Sequence, residues 1–189
     1  MDPPEGKLKR APDAVLVAGM LAAGEEALRL ATSLLEARYG PVRLASEPVP
    51  FTWSRYYAAE MGPHLTRRFL AFEQLIDPGA LARIKAETGA LEAEHARSGH
   101  RTFNLDPGYL TLSSLVVAST KEAWYRVYLG AGVYAQPMLV YREGGFRPLE
   151  WTYPDYQDPA HLEFLESVRR DARERGVLGA PRHGESPRA

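Results

Sequence analysis

The sequence predicts an α+β fold with a mainly antiparallel sheet: a ferredoxin-like βαββαβ core, extended by a C-terminal hairpin and followed by a final helix. Three observations carry this. Apolar runs of strand length alternate with single stretches of helical periodicity. Two β-rich runs flank Gly130-Ala131-Gly132, the strongest hairpin signal in the chain. The 189 residues, 45% apolar and 25% charged, suit one domain with a full core. That domain is expected over 14–175, with disordered, polar, Pro-rich tails at 1–13 and 176–189.

The elements follow in order. "AVLVAGML" (14–21) reads as a buried strand, and "EEALRLATSLLEARYG" as a helix with Ala27, Leu28, Ala31, Leu34 and Leu35 inward and Gly40 as its stop. "PVRLASEPVPF" is an extended edge segment marked by Pro48 and Pro50. "TWSRYYAAEMGP" predicts a short helix capped by Thr52 or Ser54 and ended at Gly62-Pro63. In "LTRRFLAFEQLI" (65–76), Leu70, Phe72 and Ile76 share one strand face, with Ala71 and Glu73 on the other.

Asp-Pro-Gly occurs twice. At Asp77 it caps a helix with the stripe Leu81, Ile84, Leu91. At Asp106, before "YLTLSSL", it reads as a type II turn at a strand end. "LVVAS" (115–119) is a strand. In the hairpin, Leu129 is expected opposite Val133, Val127 opposite Ala135, Tyr128 opposite Tyr134 and Arg126 opposite Gln136. Val127 and Leu129 would then lie on the core face. "EGGFRPLEWTYPDYQDP" is a long aromatic loop, and "AHLEFLESVRRDARERG" a final helix with Leu162, Leu165 and Val168 inward.

Net charge is −1, which supplies no field toward nucleic acid or an anionic membrane. The absence of cysteine excludes disulfides, thiolate zinc sites, iron–sulfur clusters and thiol nucleophiles, and agrees with a cytoplasmic setting. No apolar run reaches the ~18 residues of a membrane span. The histidines are scattered, and His95/His100 miss the spacing of a helical zinc pair, so no metal site is expected. No Gly-x-Ser-x-Gly elbow or phosphate loop occurs.

The remaining signals converge on an anion site. Asn104 and Asp106 alternate with apolar Phe103 and Leu105, so they face away from what those residues bury. Ordinary structural work, Asp106 on its turn and Asn104 capping a neighbouring strand, is the competing reading. Arg67, Arg68, Lys121 and Arg126 lie in or beside predicted strands, where guanidinium groups suit phosphate or carboxylate. Taken alone, each arginine reads as locally engaged, Arg126 with Gln136 or a carboxylate and the Arg67-Arg68 pair split across its strand; it is Lys121 and Arg126 together near Asp106 that raise the site reading. Tyr128 and Tyr134 are the candidate walls, and Tyr109 is a further candidate ligand contact. Tyrosines interleaved with cations also suggest single-strand nucleic-acid platforms, but the acidic balance and lack of an RNP-like run argue against nucleic acid. Glu47, Glu60 and Asp155 are candidate acids with no shown partner.

"SEPVPFTWSRYYAAEMGPHLTRRFLAFEQLIDPGALARIKAET", "NLDPGYLTLSSLVVASTK", "YRVYLGAGVYAQ" and "WTYPDY" together resemble the uncharacterised bacterial family termed domain of unknown function 4416, from about Val15 to about Tyr156. The resemblance implies no established activity. Some members carry a GTP-binding label, which this chain, lacking a phosphate loop and an Asn-Lys-x-Asp motif, does not support. Positions matching the family pattern include Tyr56, Tyr57, Glu60, Arg67, Arg68, Asn104, Asp106, Tyr109, Lys121, Arg126 and Asp155. The chain departs at Tyr125, Gln136 and Glu122, where the family has His, a carboxylate and Asp.

The expected function is therefore binding of an anionic small molecule, phosphorylated or a nucleotide, at Asn104, Asp106, Tyr109, Lys121, Arg126, Tyr128, Tyr134, Arg67 and Arg68. The sequence assigns no catalytic residue, no cofactor and no reaction. The alternative is a regulatory or interaction module whose aromatic loop forms a partner or homo-oligomer surface. The position of Trp151 and Tyr153, in a cleft beside Lys121 or on a flat patch, discriminates between the two.

Overall fold

The computed structural model describes residues 10–178. Most of both expected tails therefore lies outside the described residues; within them, Val177 and Leu178 pack against the core. The fold is α+β, with one large antiparallel sheet ordered β2-β4-β1-β5-β6-β8-β7. Its strands are β1 (Ala14–Ala22), β2 (Val42–Ala45), β3 (Val49–Pro50), β4 (Thr66–Ile76), β5 (Phe103–Leu110), β6 (Ser114–Ser119), β7 (Val127–Gly130), β8 (Val133–Arg142) and β9 (Gly145–Pro148). Short β3 lies beside β4, and β9 beside β8. The helices are α1 (Glu25–Tyr39), α2 (Ala58–Met61), α3 (Leu81–Glu94) and α4 (Pro159–Glu174).

Both sheet faces are covered, which is why β1 is apolar throughout rather than alternating. Leu16, Ala18 and Met20 of β1, with Leu70 of β4 and Phe103 of β5, pack against Leu28, Ala31 and Leu35 of α1 and Ile84 of α3. Val15 and Val17, one residue out of phase, pack on the opposite side with Phe69 and with Phe164, Leu165, Val168 and Ala172 of α4. Asp77 accepts a hydrogen bond from Gly79 N at the head of the turn leading into α3, as the first Asp-Pro-Gly predicts.

The second Asp-Pro-Gly corrects the expectation. It makes no turn and lies inside β5, where Pro107 pairs with Ala18 and Gly108 with Val17. Gly108 has no positive φ. It is needed because β6 runs so close: a Cβ there would lie 2.5 Å from Val116 O. The β5–β6 register covers only Gly108, Tyr109 and Leu110. Leu105 directs both its N–H and its C=O to α3 side chains, and by the two-residue period Pro107 faces the same way. The proline thus removes a donor just where the two strands part.

Three other expectations change. The hairpin pairs Val127 with Ala135 and Tyr128 with Tyr134, but Gly130, not Leu129, stands opposite Val133. Its loop is Ala131-Gly132, both at positive φ, as tight hairpin turns require. Val133 and Ala135 are buried, whereas Val127 and Leu129 are 62% and 41% exposed, because β7 is the sheet edge and none of the described residues covers either of its faces. The helix expected over "TWSRYYAAEM" shrinks to Ala58–Met61, with Ser54 Oγ accepting from Tyr56 N just before it. The aromatic loop contains a strand, β9, and a turn of 3₁₀ helix at Pro154–Gln157.

Candidate functional site

Where β5 and β6 diverge, the gap between them opens into a cavity of about 460 Å³. Asn104 and Asp106 of β5 line one side, and Val117 to Lys121, from β6 and its exit, line the other. Lys85 and Glu92 of α3 form part of the wall. They also replace β6 as partners of β5: Lys85 Nζ donates to Leu105 O (2.7 Å), and Leu105 N donates to Glu92 Oε1 (2.6 Å). Phe51, Trp53 and Tyr57, from the segment after β3, supply aromatic surface.

Arg67 of β4 is the centre of the floor. It is 3% exposed, and its Nε donates to Asp155 Oδ2 (2.7 Å) while its Nη1 donates to Asp106 Oδ2 (3.0 Å). Phe51, Phe69 and Tyr156 each place a ring centroid 5.6 Å from the guanidinium. Gly19 on β1 makes room for it: a Cβ there would lie 3.0 Å from Tyr156 Oη and 3.2 Å from Arg67 Nη1. Burial disfavours the charge, but Asp155 and Asp106 outweigh that and hold Arg67 above its ordinary pKa. Burial likewise pushes the Asp106 carboxyl up, and Arg67 and Lys85 more than offset it, so its pKa ends below the usual range.

The network continues sideways. Asn104 Nδ2 donates to Asp106 Oδ2 (3.0 Å), and Asn104 Oδ1 accepts from Arg101 Nη1 (2.7 Å). Arg101 grips Glu60 with two parallel bonds, 2.7 and 2.6 Å, and approaches Glu92 at 3.4 Å. This fork takes the Glu60 pKa down to about 2. Burial raises Glu92, opposed by Lys85 and the Leu105 N–H.

At the mouth, Lys121 Nζ lies 3.9 Å from the Tyr56 ring centroid, and its ammonium, first by hydrogen bonding to the Tyr56 hydroxyl and then by its charge, lowers the pKa of that phenol. Arg126 stands behind it, fully engaged: Nε donates to Gln136 Oε1, Nη1 to Lys121 O and Nη2 to Tyr153 Oη. Arg126 therefore holds the loop that carries Lys121 in place. Gln136 is its neighbour, as the hairpin register predicts, but no free guanidinium results.

Of the residues singled out from sequence, Arg67, Asn104, Asp106 and Lys121 line one cavity. Arg68, Tyr109, Tyr128 and Tyr134 do not. Arg68 donates to Ser46 O on the other side of its strand. Tyr109 packs against the Leu81–Val133 cluster. Tyr128 and Tyr134 contact each other on the outer hairpin, centroids 5.1 Å apart, with Tyr128 59% exposed. Sequence reasoning misses Lys85, Glu92 and Arg101, and leaves Asp155 without a partner. For the first two a signal exists: they continue the inward stripe Leu81, Ile84, Thr88 of α3, where a charged residue needs a buried counterpart.

Among the described residues no group of His, Cys, Asp and Glu is arranged to hold a metal ion, and no helix is long and apolar enough to cross a membrane. No curated protein and no solved structure matches the chain. The family described as domain of unknown function (DUF4416) matches residues 12–171, the stretch that builds the sheet, all four helices up to Asp171 and every wall of the cavity, and the chain belongs to that family.

Proposed function

We propose that the chain binds a small anionic molecule in the cavity between β5 and β6, with Lys121 as the anion contact. One observation carries the reading. Arg67 and Arg101 are paired with carboxylates and Lys85 donates to a backbone carbonyl, whereas Lys121, at the mouth, has no carboxylate within salt-bridge distance among the described residues. Tyr153 lines the cavity beside it, and Trp53 and Tyr57 offer faces for a flat or apolar part of the ligand. Phosphorylated small molecules and carboxylates are the fitting classes. The antiparallel order β2-β4-β1-β5, with α1 and α3 on one face, supports a ferredoxin-like core, to which β6–β9 and α4 add the second half of the cavity.

A thermal-shift screen against phosphate monoesters, nucleotides and carboxylates tests this. A ligand at 100 times its Kd adds about 2.7 kcal/mol, which at 2–4 °C per kcal/mol for this size moves Tm by roughly 5–10 °C. In Lys121→Ala the shift should fall by more than half at the same ligand concentration, with the unliganded Tm unchanged because Lys121 is exposed. An undiminished shift in that variant removes Lys121 from the site, and no shift with any anion refutes the reading.

A second reading is an interaction surface at the β7 edge, favoured by the exposure of Trp124 (81%), Val127 and Tyr128 within one short stretch. Trp151 belongs to that side, stacked on Tyr125 at 5.2 Å and 2°. Light scattering across a concentration series checks it.

A further inference from the structure

We infer that the ligand of this cavity is a zwitterion, carrying an ammonium or amidinium group at the Arg67 end and an anionic group at the Lys121 end. The inference rests on the anion-binding reading above and adds the other end of the molecule. Two observations support it.

The first is the uneven charge along the cavity. The floor and its side wall bring together the cations Arg67, Lys85 and Arg101 and the carboxylates Glu92, Asp106 and Asp155, and Arg101 is paired in turn with Glu60, which lies behind the wall and outside the cavity. Counted as one connected network with Glu60, these groups carry one carboxylate in excess. The mouth has the opposite balance, with Lys121 and, behind it, Arg126, neither of which meets a carboxylate among the described residues. A cavity negative at its base and positive at its rim favours a ligand of the reverse polarity, and opposes an anion without a cationic end from moving inward.

The second is unspent acceptor capacity. Arg67 engages Oδ2 of Asp155 and Oδ2 of Asp106, and Asn104 adds a further bond to Oδ2 of Asp106. Oδ1 of each carboxylate has no hydrogen-bond partner among the described residues, though Asp155 is only 3% exposed and both residues line the cavity. Neither Oδ1 is among the fully buried atoms without a partner, so both open onto the cavity, where a donor can meet them, and a charged donor cancels the excess as well. An ammonium group does both at once, whereas a hydroxyl supplies only the hydrogen bond.

The test compares ω-aminoalkyl phosphates of two to five carbons with hydroxyalkyl phosphates and alkylamines of the same lengths, by calorimetry at neutral pH with and without Mg²⁺. The best aminoalkyl phosphate should bind at least tenfold more tightly than its hydroxyl counterpart. In Asp106→Asn, checked for an unchanged fold by circular dichroism, that preference should drop below about twofold while hydroxyalkyl binding is kept. Because the wild-type comparison is decisive by itself, loss of folding in the variant leaves the test intact. Equal binding of amino and hydroxyl compounds overturns the zwitterion and leaves the anion site standing. Alkylamines binding as tightly as aminoalkyl phosphates overturns it from the other side. Hydroxyalkyl phosphates that bind only with Mg²⁺ would put a metal ion where the ammonium is placed, which also overturns it. Failure of every phosphate here, together with every anion of the thermal-shift screen, sinks the anion reading itself.

Discussion

Replacing Arg67 by methionine isolates the interaction on which the cavity floor depends. The side chain is 3% exposed and bridges Asp155 and Asp106. Methionine keeps much of the apolar stem but leaves Asp155, 4% exposed, and Asp106, 19% exposed, facing each other without the guanidinium between them. Removing one member of a buried ion pair costs about 3–5 kcal/mol, so a loss of about 4 kcal/mol is expected. With a urea m-value of about 2 kcal/mol/M, the unfolding midpoint should fall by about 2 M. The pH dependence gives a second check. Asp106 has a folded-state pKa below its unfolded value, so its contribution is fully present above the unfolded value, about 3.9, and is lost as pH falls through the folded one. Without Arg67 that depression disappears. The gap between wild type and Arg67→Met should therefore be widest near pH 7 and narrow below pH 4. Arg67→Lys should recover only part of the loss, since one ammonium cannot reproduce a fork shared between two carboxylates. Adding Asp155→Asn and Asp106→Asn to Arg67→Met should restore at least half of it. A midpoint drop below about 0.5 M, or a gap that widens in acid, refutes the account of the floor as a charge-paired unit.

Three further outcomes follow from the geometry. Gly108→Ala, whose Cβ would stand 2.5 Å from Val116 O, should cost about 1–3 kcal/mol in urea unfolding by forcing β5 from β6. Val127→Lys should change stability by no more than about 0.5 kcal/mol, because the side chain is 62% exposed on an edge strand; a large loss would restore it to the core face that the sequence suggests. Carboxyl NMR titration should find Glu60 protonating near pH 2, and in Arg101→Gln near the ordinary value of 4.5. Its stabilising contribution is thus present above the unfolded pKa and disappears as pH falls toward 2.

Local signals resolve most of the elements and fail where a distant partner decides. The β1 run, the α1 stripe and the Asp77 cap need only their own neighbours, and the structure has them where periodicity puts them. Asp106-Pro107-Gly108 is different. Its composition is that of a turn, and locally nothing contradicts one. It is a strand because β1 pairs along its whole length, and its proline and glycine are explained only by β6, which the proline releases on one side and the glycine admits on the other. The exposed faces of β7 escape the sequence for the same reason: alternation says which residues share a face, not whether anything covers it.

The candidate site makes the same point more strongly. Asn104 and Asp106 are legible as polar residues opposite an apolar face, but their partners Arg101 and Arg67 come from the entry to β5 and from β4, and Arg67 is shared with Asp155 from the turn before α4, 88 positions away. Arg126 shows how far one predicted partner falls short of the full set: the register supplies Gln136 but neither Tyr153 nor the Lys121 carbonyl. As a strand cation beside Lys121 it has the marks of an anion contact, yet Gln136, Tyr153 and the Lys121 carbonyl take up its three nitrogens. Those bonds make it the brace and leave the adjacent ammonium as the group able to meet a ligand. The same feature that weakens Arg126 as a contact, a neutral glutamine opposite it rather than a carboxylate, keeps the mouth positive: an ion pair there would have cancelled the charge that sets the rim against the negative floor.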